Sequence, residues 1–221
     1  MVTLSPSLWI ELKKIVYLHK NVSFLSSTMN YLTFPLLIDE EIKILKEKLF
    51  CINNDWEDGK KTAGKYASKV KNNLQLNRYS DNSIKYSKFI VEKLLKNQLA
   101  RSFALPKKVH GIMFTKSSKG MKYGRHIDNA YMSSGRADLS FSIFLSCKKT
   151  YGGGELVIEN INTENKFKLD QGQIIIYPST YLHSVQEITH GERLVCVGWI
   201  ESYVKSIEER EYLFDIDAGA K

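Results

Sequence analysis

The sequence is poor in cysteine, with Cys51, Cys147 and Cys196 as the only three in 221 residues. Their odd number and wide spacing exclude a disulfide framework and a CxxC metal site, and they read as reduced thiols in a cytoplasmic protein. Cys196 lies in an apolar run, where a small buried hydrophobe fits. Long hydrophobic runs are also lacking. No stretch approaches the roughly 20 apolar residues of a membrane helix, so no membrane span is expected. The opening residues lack the pattern of a secretory signal, because Glu11, Lys13 and Lys14 interrupt them and no small-residue cleavage site follows. Internal repeats and low-complexity tracts are absent. The formal charge is +8, yet no compact Arg/Lys block with interleaved aromatics marks a nucleic-acid surface. The scattered lysines read as a solvated surface.

What remains is the composition of an ordinary globular chain, long enough for one sizeable core. Leu8, Leu12, Ile15, Val16 and His19 recur at helical spacing over 7–20, predicting a helix within an N-terminal extension, residues 1–30. Asp39 is placed to cap a helix through Ile42, Leu45 and Leu49. A second amphipathic helix is predicted from about Ser83 to Gln98, with Phe89, Ile90, Leu94 and Leu95 on its buried side. Pro106 closes the helical half. From Val109 the texture changes to short β-type runs: 109–115, 123–128, 138–146, 155–160, 166–169, 173–177, 183–188 and 193–201. Gly152-Gly153-Gly154 and Asp170-Gln171-Gly172 supply turns between them. Many short strands at even spacing predict a sandwich or jelly roll. The expected architecture is α+β: supporting N-terminal helices and a β-core at about 109–203, within a single domain over 31–221.

His126-Ile127-Asp128 is the sharpest local feature. On a strand, residues i and i+2 share a face, so the imidazole and the carboxylate would project together. An HxD pair alone is common and most often lies on a surface. His183 follows 57 residues later, at the start of another predicted strand. Two histidines and a carboxylate on neighbouring strands can occupy one face of an octahedral ion, the facial triad of non-haem iron oxygenases. Arg193, ten residues beyond His183, opens the last strong strand. A guanidinium fixed inside an apolar sandwich needs an anionic partner. The distal carboxylate of 2-oxoglutarate fits, and a surface salt bridge to Glu192 or Glu201 is the alternative.

From about residue 31 to 216 the chain resembles the PKHD-type hydroxylases, bacterial relatives of prolyl 4-hydroxylases in the iron/2-oxoglutarate dioxygenase superfamily. The carrying segments are Trp56-Glu57-Asp58-Gly59 with Thr62-Ala63-Gly64, Val70-Lys71-Asn72-Asn73-Leu74, and Gly124-Arg125-His126-Ile127-Asp128-Asn129. Arg136-Ala137-Asp138-Leu139-Ser140, Phe144-Leu145-Ser146 and Gly153-Gly154-Glu155-Leu156-Val157-Ile158 continue the set. Tyr177-Pro178-Ser179, Leu182-His183, Gly191-Glu192-Arg193 and Trp199-Ile200 complete it.

The resemblance implies a double-stranded β-helix (jelly-roll) core, with Fe(II) on His126, Asp128 and His183 and 2-oxoglutarate on Arg193. It also implies O2 as co-substrate, hydroxylation of a C–H bond with release of succinate and CO2, and ascorbate as a reductant for the iron. Trp199 matches a tryptophan near the co-substrate, against the plain reading of a core aromatic. Tyr123 would face the same cavity only if a bulge falls between it and His126, and is given a supporting role beside the co-substrate. A peptidyl proline or another protein side chain is the substrate the resemblance favours.

The chain departs from the family pattern in three places. Ser117 stands where a tyrosine is usual nine residues before the first histidine. The first 30 residues have no counterpart, and the chain ends soon after Leu213-Phe214-Asp215-Ile216-Asp217, where relatives continue with a helical tail. His110 and His190 are read as structural or surface residues. Two alternatives stand beside the hydroxylase. One is a nucleic-acid demethylase of the same superfamily, whose arginine lies farther past the second histidine. The other is a non-catalytic jelly-roll binding module, which would be expected to lack a triad residue or Arg193.

Overall fold

A computed structural model describes residues 31–50, 55–159 and 163–219. The predicted helix over 7–20, Cys51 and the end of the strand expected over 155–160 lie outside the described residues. The described residues form four α-helices, α1 (Asp39–Leu49), α2 (Asp81–Lys96), α3 (Gln98–Ala104) and α4 (Ile207–Gly219), and two short 3-10 turns at Gly59–Thr62 and Ala67–Lys69. The first half supplies short strands β1 (Leu32–Pro35), β2 (Trp56–Asp58), β3 (Lys71–Asn72) and β4 (Leu74–Leu76). The second half supplies β5 (Pro106–Ser118), β6 (Lys122–His126), β7 (Tyr131–Met132), β8 (Gly135–Arg136), β9 (Leu139–Phe144) and β10 (Gly152–Gly153). It continues with β11 (Leu156–Glu159), β12 (Glu164–Phe167), β13 (Gln173–Pro178), β14 (Leu182–Val185), β15 (Ile188–His190) and β16 (Glu192–Ser202). No helix among the described residues is long and apolar enough to cross a membrane.

Two antiparallel sheets carry the fold. The larger has the order β1-β13-β9-β16-β5-β4-β2, and the smaller runs β12-β11-β14-β6-β3. The expected jelly-roll core is present as this double-stranded β-helix. One difference is that the N-terminal half also contributes strands to both sheets. These strands span only two to four residues each, too short to show a period of two in the sequence.

The larger sheet is covered on both faces, which is why its strands read as nearly unbroken apolar runs. Ile174 and Ile176 of β13, Leu139, Phe141 and Ile143 of β9, and Leu194, Cys196 and Ile200 of β16 pack against α1, α2 and α3. Their neighbours in sequence turn inward. Ile175 and Tyr177, Phe144 and Val195 meet Leu156 and Ile158 of the smaller sheet. Burial leaves Cys196 wholly enclosed and pushes its thiol pKa up, so it behaves as the small hydrophobe the sequence suggests.

The helices follow their caps with small shifts. Asp39 does not cap α1. Ile38 holds the cap position, its backbone N–H donates to Glu41 Oε2 at 3.2 Å, and Asp39, Glu40 and Glu41 form the acidic first turn. Ser80 caps α2 by accepting from the Ser83 N–H at 3.3 Å. Asn97 then ends α2 and caps the unforeseen α3 through Oδ1 to the Ala100 N–H, at 2.9 Å. Helix α4 docks by Phe214 edge-on to Phe103, ring centroids 5.4 Å apart, and by the buried Arg210 donating to the Val204 and Lys205 carbonyls.

Strand β5 extends three residues past each end of the predicted 109–115 and carries a bulge. Val197 pairs with Met113 but Trp199 pairs with His110, so three steps on β5 oppose two on β16. Gly111 sits in the bulge at φ +66, and an added Cβ there would lie 2.5 Å from the Trp199 ring. The bulge thus makes room for the indole. Phe114→Ala, at a fully buried position, is expected to cost about 3–5 kcal/mol in urea unfolding. Ile84→Ala, on the exposed face of α2, is expected to stay within about 0.5 kcal/mol.

Candidate metal centre

His126 is the last residue of β6 and pairs directly with His183 of β14. Ladder register therefore brings the two rings together, with centroids 4.2 Å apart. The strand ends there, so Asp128 is not placed by strand alternation as the sequence suggests. It lies in the loop after β6, held by two donors from the facing sheet. Trp199 Nε1 donates to Asp128 Oδ2 at 2.9 Å, and Ser140 Oγ donates to the same oxygen at 2.6 Å. Trp199 and Ser140 are cross-strand partners on β16 and β9.

Ligand atoms of His126, Asp128 and His183 all lie within 4.8 Å of one another. Nε2 of His126 is 3.9 Å from Asp128 Oδ1, and Nε2 of His183 is 3.8 Å from Oδ2. Each imidazole turns its other nitrogen to a backbone carbonyl two residues upstream. His126 Nδ1 donates to the Gly124 oxygen at 2.8 Å, and His183 Nδ1 to the Tyr181 oxygen at 2.9 Å. A carbonyl only accepts, so Nδ1 must carry the proton and Nε2 is left with its lone pair. Burial, reinforced by the neighbouring His183, pulls the His126 pKa down to about 4 and favours the neutral, ligating form.

The triad opens on a cavity of about 420 Å³ between the two sheets, with Arg193 also on its wall. Arg193 is only 4% exposed and makes no ion pair among the described residues. Glu192 instead accepts from Ser118, and Glu201 pairs with Lys107 and Arg136. The surface salt bridge considered from the sequence is therefore not formed. The Arg193 guanidinium lies over the Phe144 ring, 5.4 Å from its centroid, and its Nε has no hydrogen-bond partner. Burial pulls its pKa down, and the hydroxyls of Tyr151 and Tyr177 oppose that effect. Gly154, at φ +71, brings the 151–155 loop against it, where an added Cβ would lie 3.0 Å from Arg193 Cδ.

The remaining sequence candidates fall into place. The bulge required for Tyr123 exists: His183 pairs with His126 but Val185 pairs with Tyr123, so three steps on β6 oppose two on β14. The Tyr123 ring stacks on His126 with centroids 3.6 Å apart. Ser117 is buried opposite Arg193 in register and lines the cavity. His110 is buried away from the triad and holds the β7–β8 hairpin, with Nδ1 2.8 Å from Ser134 Oγ and Nε2 2.9 Å from the Arg136 carbonyl. His190 is exposed on β15. Sequence reasoning gave no role to Ser140, whose place between Leu139 and Phe141 reads as ordinary strand alternation. Trp199→Phe keeps the ring and deletes the donor to Asp128. Affinity for Fe(II), or for Mn(II) as a probe, is expected to fall about 10–100-fold in anaerobic titration calorimetry. Unchanged affinity would show that the indole does not hold the carboxylate.

Residues 112–201 match the family described as the 2OG-Fe(II) oxygenase superfamily. A PKHD-type hydroxylase of Prochlorococcus marinus strain AS9601 is 69% identical over 193 residues, covering 87% of each chain. Among solved structures, a prolyl-4-hydroxylase from Pseudomonas putida superposes with TM-score 0.57 at 15% identity, over 86% of this chain and 100% of that one. A Trichoplax adhaerens prolyl hydroxylase, in complex with a hypoxia inducible factor oxygen degradation domain peptide fragment, gives TM-score 0.60 at 14% identity, over 96% and 97%. At such identities the solved structures speak for the fold, and the curated relative speaks for the family. The chain thus belongs to the PKHD-type hydroxylases, 2-oxoglutarate-dependent dioxygenases of the 2OG-Fe(II) oxygenase superfamily, which use Fe(II), 2-oxoglutarate and O2.

Proposed function

We propose that His126, Asp128 and His183 hold Fe(II), that Arg193 takes the distal carboxylate of 2-oxoglutarate, and that the substrate is a peptidyl proline or another protein side chain. The observation that carries the metal assignment is the pair of imidazoles locked through Nδ1, with both Nε2 atoms turned to one carboxylate. Two neutral imidazoles and a carboxylate form a donor set suited to Fe(II). The co-substrate assignment rests on Arg193, a buried guanidinium whose Nε has no hydrogen-bond partner and which has no carboxylate within ion-pair distance among the described residues. A dicarboxylate supplies that partner through a charge-assisted, bidentate pair. When bound, iron and 2-oxoglutarate supply the oxidation, in which O2 is consumed, succinate and CO2 are released, and one oxygen atom enters a substrate C–H bond.

The protein's own part is to position, exclude water and hold protons. The Gly124 and Tyr181 carbonyls fix the imidazole tautomers. Trp199 and Ser140 hold Asp128 through Oδ2 and fix the carboxylate beside the two Nε2 atoms, where it would complete the donor set for the ion. Tyr123 limits rotation of His126 by stacking on it. Arg193 lies over the Phe144 ring, with the Tyr151 and Tyr177 hydroxyls acting on its charge and Ser117 across the ladder, so it is enclosed among aromatic and hydroxyl groups. The peptide reading is supported by the prolyl hydroxylases among the fold neighbours, one of them solved with a peptide. The ten-residue interval from His183 to Arg193 argues against the nucleic-acid demethylase. Retention of all four residues argues against the binding module. A reducing cytoplasm accords with the free Cys147 and Cys196, and ascorbate would serve there as the iron reductant.

Anaerobic addition of Fe(II) and 2-oxoglutarate is expected to produce the weak visible charge-transfer band of the chelate in wild type. In Arg193→Ala the 2-oxoglutarate affinity is expected to fall roughly 30-fold or more, equivalent to about 2 kcal/mol. Succinate formation is expected to vanish in His183→Ala. Absence of the band in folded, iron-loaded wild type would sink the oxygenase reading.

A further inference from the structure

The charges on the cavity wall do not balance, and this concerns the substrate. The charged side chains lining it are Lys71, Arg78, Asp128 and Arg193. Under the proposed function, Fe(II) brings two positive charges and 2-oxoglutarate two negative ones. Arg193 and the ion then balance Asp128 and 2-oxoglutarate, and Lys71 and Arg78 are left as two positive charges in excess, with Asp128 and Asp58 acting on Lys71 only beyond ion-pair distance. For the enclosed Lys71, an ammonium without an ion-pair partner carries a desolvation cost.

Lys71 is 5% exposed, on the two-residue strand β3 at the edge of the smaller sheet. It has no carboxylate within 4 Å among the described residues, and its hydrogen bond runs to the neutral Thr62 hydroxyl at 3.4 Å. The nearby Asp58 is engaged as the cap of a turn, accepting from the Lys60 N–H at 2.9 Å. Burial draws the Lys71 pKa down to about 8, which leaves the ammonium charged at neutral pH. Arg78 is exposed at the cavity opening and also lacks an ion pair among the described residues; its Nη2 lies 3.8 Å from Met113 Sδ.

A continuous polar row joins the two cations. Thr62 Oγ1 donates to Gln75 Oε1 at 2.6 Å, and Gln75 Nε2 reaches the same Met113 sulfur at 3.4 Å. At the other end the Lys71 ammonium sits over the Tyr123 ring, 5.1 Å from its centroid, and that ring stacks on His126. The row therefore runs from the opening to the metal-binding imidazole.

We propose that Lys71 and Arg78 bind a substrate carboxylate, so that the enzyme hydroxylates a peptide residue lying beside an Asp or Glu. This rests on the oxygenase reading of the site and adds the sequence context of its substrate. A carboxylate entering with the peptide meets an ammonium inside the cavity and a guanidinium at the opening, a pairing worth more there than in water. Nucleic acid fits less well. Its phosphates track open basic grooves, whereas Lys71 is enclosed. Deep in the cavity the Tyr123 ring is already stacked on His126 and Trp199 is engaged with Asp128, which leaves the exposed Tyr131 at the rim as the aromatic face open to a base.

The test uses full-length enzyme loaded anaerobically with Fe(II) and 2-oxoglutarate, with the chelate band as control for an intact site. A pool of acetylated, amidated random hexapeptides is captured on it and the bound fraction sequenced. Wild type is expected to enrich Asp and Glu over Asn and Gln roughly tenfold or more. The preference should fall below about twofold in the double variant Lys71→Met/Arg78→Gln and persist in Lys71→Arg. Arg78→Gln alone, at an exposed position, should weaken it and keeps the test decisive where the double variant fails to fold. Equal capture of acidic and amide peptides by wild type overturns the proposal, and so does a double variant that keeps the preference. Preferential capture of random single-stranded DNA overturns it in favour of nucleic acid. Succinate formation driven by free Asp or Glu as strongly as by any captured peptide overturns the peptide and moves the carboxylate to a small acid. A missing chelate band in wild type condemns the oxygenase reading, whereas an intact band without acidic preference condemns this inference alone.

Discussion

The hydrogen bonds on Asp128 Oδ2 are the constraint on which the centre depends. His126 and His183 are set by ladder register, but Asp128 lies past the end of its strand and has no ladder to hold it. Trp199 and Ser140 hold it from the opposite sheet. Since they are direct cross-strand partners, the carboxylate is fixed only when β9 and β16 are in register and that sheet faces β6. The candidate ligand set is thus built across the interior of the sandwich. The same alternation that points Trp199 inward also points Val197, Val195 and Arg193 inward, so one strand serves both ends of the cavity.

That arrangement accounts for the Gly111 bulge. An indole whose Nε1 must reach Asp128 presses its ring against the neighbouring strand. The extra residue on β5, with Gly111 in the left-handed region, is what keeps the ring from colliding with a side chain. The bulge also reverses the inward and outward sense of β5. Val109 faces the helices on one side of it, Ile112 and Phe114 do so on the other, and Met113, Thr115 and Ser117 are left to line the cavity. A second bulge, on β6, turns Tyr123 toward His126. These two bulges, among the register shifts in the sheets, lie beside the candidate metal centre, where strand ends and bulges re-aim side chains.

The triad and Arg193 were legible because chemistry restricts the residue types, and a fixed order of His, Asp, His and Arg survives in linear spacing. The sheet cores were legible because unbroken runs such as Ile174-Ile175-Ile176 belong to strands covered on both faces. Other features left weaker traces. Helix α3 has seven residues and β3 two, both shorter than the window in which a period is seen. Helix α4 carries acidic and apolar residues without a clear stripe, and it is fixed by tertiary contacts of Phe214 and Arg210. Asp39 resembled a cap but lies one residue inside the helix, because the Glu41 carboxylate already serves the Ile38 N–H. Ser140 was hidden by alternation, which shows that a serine faces away from the core but not whether it faces water or a cavity.

Lys71 illustrates a different limit. A lysine in an Asn-rich segment reads as solvated, and nothing in its spacing links it to His126, 55 residues later. Only strand pairing makes the link, since Lys71 lies opposite Tyr123 and Tyr123 stacks on His126. Ser117 bears on the cavity in a complementary way. It stands across the ladder from Arg193, and a serine there fills far less of the cavity than the tyrosine the family pattern leads one to expect. Around Arg193 the aromatic groups are instead Tyr151, Tyr177 and Phe144, contributed by the 151–155 loop, β13 and β9. The guanidinium therefore keeps aromatic and hydroxyl neighbours although the β5 position is small. The end of the cavity nearest Arg193 is thus lined by aromatic and hydroxyl groups, while the other end carries Lys71 and Arg78.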